Sequence, residues 1–407
     1  MNYKGIEYFR KKLEQKRLRV LLRYTYYDMK NSVRDFQITT PAKYAHLVEV
    51  LGWSGRAVDA VADRLSFRSF RNDNFGLGDI YAMNNQDIMV DSVTLSSLVS
   101  SCAFIYITTD ADGFPRMQVI DGGNATGELD PITNMLTEGY AALERDNQGR
   151  AVLEAYFLPH KTQYIDSRTR KVWTVYNDSP YPLLVPVIHR PDASRPFGRS
   201  RISRECMALQ QNALRTLKRM EICSEFYSWP QRYVLGLEDS AEFDGRKAAV
   251  SDFLSFGKGE DGDKPTVGQF PQQSMTPYVD QLRAYACLFA GATGLTPDDL
   301  GFVSDNPSSQ EAIKASHENL RLAARKAQKT IGTGLLNAGY LAACVRDKFP
   351  YERQELYKTR PIWEPIFEPD AATLSSIGDG AIKINQAVPG YFSKETLWDL
   401  TGIEPDL

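Results

Sequence analysis

Cysteine is scarce and unpatterned in this chain. The five residues Cys102, Cys206, Cys223, Cys287 and Cys344 are odd in number and never stand in C-x-x-C spacing, so neither a disulfide framework nor a zinc site is expected. Long apolar runs are missing too: no window approaches the eighteen or so uninterrupted apolar residues a membrane span needs. The first twenty residues, MNYKGIEYFRKKLEQKRLRV, have no apolar core and no small-residue cleavage site, which argues against export by a signal peptide and for an intracellular protein. Excess positive charge is absent. A formal net charge of −3 gives no bulk attraction to nucleic acid, which disfavours a tight clamp but not a surface past which DNA slides.

Catalytic signatures fail one after another. His317–Glu318–Asn319–Leu320–Arg321 begins like H-E-x-x-H, but Arg321 stands at the second ligand position, so no zinc is held. The run Gly257–Lys258–Gly259–Glu260–Asp261–Gly262–Asp263–Lys264 lacks the Lys-Ser/Thr of a phosphate loop, and its acids repel phosphate. The four histidines, His46, His160, His189 and His317, lie far apart with no nucleophile elbow. Asp298, Asp299 and Asp305 lack the spacing of a calcium loop and are expected as a solvated acidic loop. No metal and no cofactor is expected.

What is present is ordinary in amount, 43% hydrophobic and 24% charged, and at 407 residues exceeds one comfortable core. Residues 5–30 read as a basic amphipathic helix with a solvated basic face, Tyr8, Leu13, Leu18, Leu22 and Tyr26 alternating with Lys and Arg. A second helical pattern follows Pro41, then an edge strand in RLSFRSFR closed by a turn at Asn72–Asn74. Ile80 to Val99 reads as one helix, CAFIYITTDADGFPRMQVID as two strands about Asp110–Gly113, and residues 151–178 as a hairpin turning at Asp166–Arg170. Residues 40–195 are therefore a mixed α+β unit with antiparallel strands.

A long helix is expected from about Ser203 to Tyr227, carrying basic residues including Arg201, Arg215, Lys218 and Arg219. Residues 230–273 hold a short strand, an acidic link, a short helix and a Gly-rich acidic run, too small to be stable alone. TPYVDQLRAYACLFAGATG is a helix stopped by Gly294. Ser308–Ser309–Gln310–Glu311 is a capping box starting a helix to about Ala343, whose Gly332, Gly334 and Gly339 weaken it or permit close packing. RPIWEPIF reads as an edge strand rejoining the earlier sheet, and two helices split by Pro389–Gly390 finish the chain.

Two stretches resemble the portal, or head-to-tail connector, proteins of tailed bacteriophages. Phe197–Leu237 is similar to that family's G-x-S-prefaced long helix running into a strand. Ala292–Leu320 is similar to its Gly-hydrophobic-x-Pro-x-x-Leu-Gly turn followed by a Ser-rich helix cap. The resemblance implies an α+β portal-like fold: a wing (1–199), a first stem helix (200–229), a small α/β clip (230–273), a second stem helix (274–293) and a tunnel loop (294–309). A tunnel-loop helix returning to the wing (310–368) and a short helical crown (369–407) complete it.

The resemblance also implies a non-enzymatic subunit of a dodecameric ring at one capsid vertex, assembled in the host cytoplasm and retained in the virion. Double-stranded DNA passes through such a ring, which meets the terminase large subunit, the head-tail adaptor, and major capsid and scaffolding proteins, and no membrane. On that reading Asp298, Asp299, Leu300, Phe302, Val303, Ser304, Asp305 and Asn306 form the channel loop, its aspartates holding DNA off the wall while Leu300, Phe302 and Val303 pack against a neighbour. Arg215, Lys218, Arg219, Arg232, Asp239, Glu242 and Lys258 are the expected stem and clip contacts. The competing readings are a metal-dependent nuclease or phosphohydrolase using the acidic loop, and a nucleic-acid-binding scaffold using the basic first helix.

Overall fold

The computed structural model describes residues 3–32, 48–228, 232–235, 266–269, 274–303, 315–367, 369 and 371–403. Contacts divide the chain into two units: Met1–Asn31, Gly52–Met207 and Ala290–Leu407 make the first, Ser32–Leu51 and Ala208–Phe289 the second.

The first unit is built on antiparallel strands. A five-stranded meander runs in sequence order through β4 (Ala125–Leu129), β5 (Leu136–Arg145), β6 (Ala151–Leu158), β7 (Lys161–Asp166) and β8 (Lys171–Tyr176). A second sheet sets β2 (Cys102–Thr109) between β3 (Pro115–Ile120) and β9 (Leu184–Ile188), and β1 (Phe67–Arg71) pairs with β12 (Arg360–Trp363) in a separate ladder. The C-terminal strand thus rejoins β1 alone and not a larger sheet. The expected hairpin over 151–178 is a three-strand meander, because the chain reverses a second time at His160, which takes φ 61°.

The single helix expected over Ile80–Val99 is two, α3 (Leu77–Ala82) and α4 (Gln86–Ser100). The first ends at its C-cap Met83, and Asn85, the N-cap of the second, stands at φ 51° in the left-handed conformation that asparagine tolerates better than most residues, so the two cannot run on as one. The other helices of this unit are α1 (Ile6–Tyr27), α2 (Trp53–Ala62), α7 (Glu318–Asp347), α8 (Ala371–Ala387) and α9 (Lys394–Thr401). Ser393 caps α9, accepting from the amide of Thr396.

Helix α1 lies with Phe9, Leu13, Val20 and Tyr26 buried, whereas Tyr8, Leu18 and Leu22 are exposed. Its basic residues are not simply solvated. Arg10 forks onto the buried Glu154, and Lys12 donates to Glu128 at 3.0 Å and to the carbonyl of Gly127 at 2.7 Å. Phe9 and Leu13 join Tyr140, Tyr156 and Leu158 in one apolar cluster, so the cations border a core.

Helix α7 runs a turn past the expected end at Ala343. Its second half is buried almost all round against β9, β2 and β12. Close approach is the use of its glycines: a Cβ on Gly334 would stand 3.0 Å from the Cα and 2.9 Å from a methyl of Val187. Gly334→Ala gains about 1 kcal/mol of helix propensity. The backbone of β9 cannot yield cheaply, so overpacking of about 1–3 kcal/mol outweighs that gain. We expect a net loss of up to about 2 kcal/mol in urea unfolding; a variant more stable than the parent would rule out the contact.

In the second unit, α5 (Arg204–Ser228) and α6 (Thr276–Thr293) carry most of the described residues, and the chain passes between the units within these two helices. Thr216 donates to Gln281 at 3.1 Å, and the Cys223 thiol meets the Tyr278 hydroxyl at 3.1 Å. Gln210 and Gln211 reach the carbonyls of Leu51 and Ser32 at 2.7 and 2.9 Å. Strands β10 (Arg232–Leu235) and β11 (Thr266–Gln269) form an antiparallel ladder. The short helix expected between these strands, the second helical pattern after Pro41 and the capping box at Ser308 lie outside the described residues.

Candidate functional site

The loop after α6 begins where Gly294, at φ 73°, lets the helix end against Asn319 of α7. Thr296–Pro297–Asp298–Asp299 is a capping box of its own. The Asp299 carboxylate accepts from the amide and hydroxyl of Thr296, both at 2.9 Å, and the amide of Asp299 returns to that hydroxyl at 3.3 Å. A 3-10 turn over Asp298–Leu300 follows, and Gly301 closes it at φ 91°.

Asp299 is therefore not a solvated acid. Its side chain is only 12% exposed, with His317 Nε2 at 3.4 Å and the Arg56 guanidinium at 3.7 Å. Burial alone would raise its carboxyl; the Thr296 hydrogen bonds and His317 outweigh burial and hold it below the usual range. The acid is an anchor tying the loop to the start of α7. Asp298, one residue earlier, is exposed.

The sign of the pH effect follows. A carboxyl with a depressed folded pKa contributes stability that is present above its unfolded value and lost as pH falls through the folded one. Asp299→Asn should cost about 1 kcal/mol at pH 7, with the difference from the parent closing below about pH 4. Amide exchange at Thr296, followed at both pH values, checks this; an equal difference at both would show that another group holds the loop.

Beneath the loop lies Arg201, 9% exposed, which donates Nε to the carbonyl of Ala57 at 2.9 Å and a second nitrogen to the carbonyl of Thr293. Its own amide donates to Leu98 at 2.8 Å. Burial, with Arg190 adding to it, lowers its pKa to about 10, still protonated at neutral pH. One guanidinium thus pins the end of α6 to α2. Arg201 stands before α5 and not among that helix's cations, and no spacing in the sequence marks this role.

Of the other expected loop residues, Leu300 is buried within its own chain and not held out for a neighbour, while Phe302 is half-buried and Val303 is 74% exposed. Ser304, Asp305 and Asn306 lie outside the described residues, as do Asp239, Glu242 and Lys258. Arg219 is exposed on α5, Arg215 and Lys218 are half-buried there, and Arg232 lies on β10. These stem and clip residues belong to the second unit; the loop belongs to the first. His317, dismissed with the failed zinc motif, does meet an acid, and Arg321 of the same motif forks onto Glu318 at 2.7 Å. The Thr-x-x-Asp pattern was the legible signal for the loop anchor; Arg56 and His317 had none.

Comparison with known proteins finds a likeness to one class, the portal proteins of bacteriophages. Two curated relatives are portal proteins, one from Mycobacterium phage L5, 22% identical over 391 residues, the other from Mycobacterium phage D29, 23% identical over 402 residues. Each alignment spans 91% of this chain, and 79% and 80% of the respective relative. The resemblance to the portal family read from Phe197–Leu237 and Ala292–Leu320 is borne out along nearly the whole chain. No family model matches the sequence.

Among solved structures, a chain from the virion of a native gene transfer agent particle matches at 13% identity and a TM-score of 0.41. Chains from the neck of the empty particle, computed with C6 symmetry, and of the native particle, computed with C12 symmetry, match at 12% and 13% with TM-scores of 0.44 and 0.42. All three comparisons cover 87% of this chain and 90% of the other, and scores this low carry no functional argument.

Proposed function

We propose that this chain is a portal subunit, one of twelve in a ring at a single capsid vertex, through which double-stranded DNA enters and leaves. The observation that carries the reading is the pair of portal relatives aligned over 91% of the chain. The finer assignments rest on it: α5 and α6 as stem helices, the β10–β11 ladder as part of the clip, the first unit's sheets as wing, α8 and α9 as crown. Terminase docks first and the head-tail adaptor afterwards.

A passage for moving DNA works against tight phosphate binding, since six to ten neutralised phosphates make affinity swing by roughly 10³–10⁵ across a modest salt change. The split between the loop's two aspartates suits such a passage. Asp299 fixes the loop from within, and Asp298 is left to repel the DNA backbone. The role we give this chain is structural and involves no catalysis.

The scaffold reading is weakened because Arg10 and Lys12 of α1 are engaged by Glu154 and Glu128 of their own chain. Among the described residues no three His, Cys, Asp or Glu side chains gather as a metal site. Native mass spectrometry with negative-stain imaging tests the proposal: closed rings of about twelve copies with a central hole are expected. Particles no larger than a dimer, with metal-dependent phosphodiester cleavage, would establish the nuclease instead.

A further inference from the structure

The two edges of the five-stranded sheet are treated differently. At β4 the edge is attended by α1, whose Lys12 bonds the carbonyl of Gly127 at 2.7 Å. At β8 no described element attends the edge: all six residues Lys171–Tyr176 are exposed, including Val172, Trp173, Val175 and Tyr176. This edge has no proline and no bulge, and its single end lysine leaves the apolar stretch unguarded, so the usual protections against strand pairing are nearly absent.

Which backbone groups stand free follows from the alternation of an antiparallel ladder. Ser167 donates to Val152 and Asn177 to His160, so Lys171, Trp173 and Val175 turn their N–H and C=O groups to β7. Those of Val172, Thr174 and Tyr176 point outward. Groups spaced in this way are satisfied by an extended strand, and β8 itself is one that matches them.

We propose that β8 pairs antiparallel with β8 of a second copy of this chain, about a two-fold axis at Thr174. In that register Thr174 faces Thr174, Val172 faces Tyr176 and Trp173 faces Val175, giving about six backbone hydrogen bonds and continuing the Tyr164–Trp173 stack with apolar cross-strand pairs. The Arg170 end of each strand comes beside the Asp178 end of the other; both residues are exposed, and neither is in an ion pair among the described residues. A shift of two residues either way shortens the ladder and separates these charges. A two-fold contact is isologous, whereas neighbours in a cyclic ring meet heterologously, so this pairing joins chains that are not ring neighbours and stands apart from the portal reading.

The test uses the full chain with the exposed Cys287 replaced by serine. In that background Thr174→Cys should cross-link into a disulfide dimer on mild oxidation, because facing residues of a hydrogen-bonded pair lie about 5.5 Å apart, within disulfide reach. Lys171→Cys, far from its own copy in this register, should not. Arg170→Asp should weaken dimerisation in sedimentation equilibrium about tenfold, and adding Asp178→Arg should restore it. Equal cross-linking of both cysteine variants, or none at Thr174→Cys, overturns the pairing. Rings without the Thr174 cross-link leave the portal reading intact and refute this one; the cross-link without rings does the reverse.

Discussion

Arg10→Ala should lower the unfolding free energy by about 3–5 kcal/mol at pH 7. The cause is what stays behind. Glu154 has 5% of its side chain exposed, and Arg10 reaches both of its oxygens while the Tyr140 hydroxyl donates to one of them. Burial pushes the Glu154 carboxyl up, and the bonds from Arg10 and Tyr140 pull it below its usual range. Without Arg10 burial wins, the sign reverses, and the variant regains stability by taking up a proton. The deficit should therefore narrow between pH 7 and pH 5 in urea titrations. Replacing the whole group, Arg10→Met and Glu154→Leu with Tyr140→Phe, should recover most of the loss, since an apolar set leaves neither a stranded charge nor a stranded hydroxyl. A deficit under about 1 kcal/mol at pH 7 would mean that water reaches Glu154.

Arg201→Met should cost about 2–4 kcal/mol, because the carbonyl of Thr293 at the helix end loses its donor and the helical carbonyl of Ala57 loses its second one. Ala57 and Thr293 belong to different helices, and only a planar, forked donor reaches both from one side chain. Arg201→Lys, a point donor, should recover less than half of the loss. Thermal unfolding gives the magnitude, and amide exchange at Gly294 and Leu295 gives the location. If Arg201→Lys matched the parent in both, the fork would not be what holds the loop's first turn.

Local chemistry was the legible part of this fold. The turn at Asp110–Gly113, the stop at Gly294 and the break at Pro389–Gly390 are each set by one or two residues, and each stands where the sequence puts it. The errors came where the turn residue was an unadvertised one. His160 and Asn85 both adopt positive φ, and neither is glycine, so the pattern reads as one hairpin where there is a meander and as one helix where there are two. Strands β4 and β5 went unseen because Gly127, Gly139 and several alanines dilute their β-branched signal. In the loop, the aspartates were found but their roles were not. Whether an acid faces water or an arginine depends on partners far away in the chain, and Arg56 and His317 carry no spacing that points to Asp299.

Helix α7 is about 45 Å long at 30 residues. Its last half is embedded between sheets, with Gly334 seated against β9, and its first turn receives the loop through His317 and Asp299. A rod clamped at one end and hitched at the other transmits load with little bending. A push on the loop that passes through His317 is taken up half-way along the rod, where Gly334 sits on Val187 of β9.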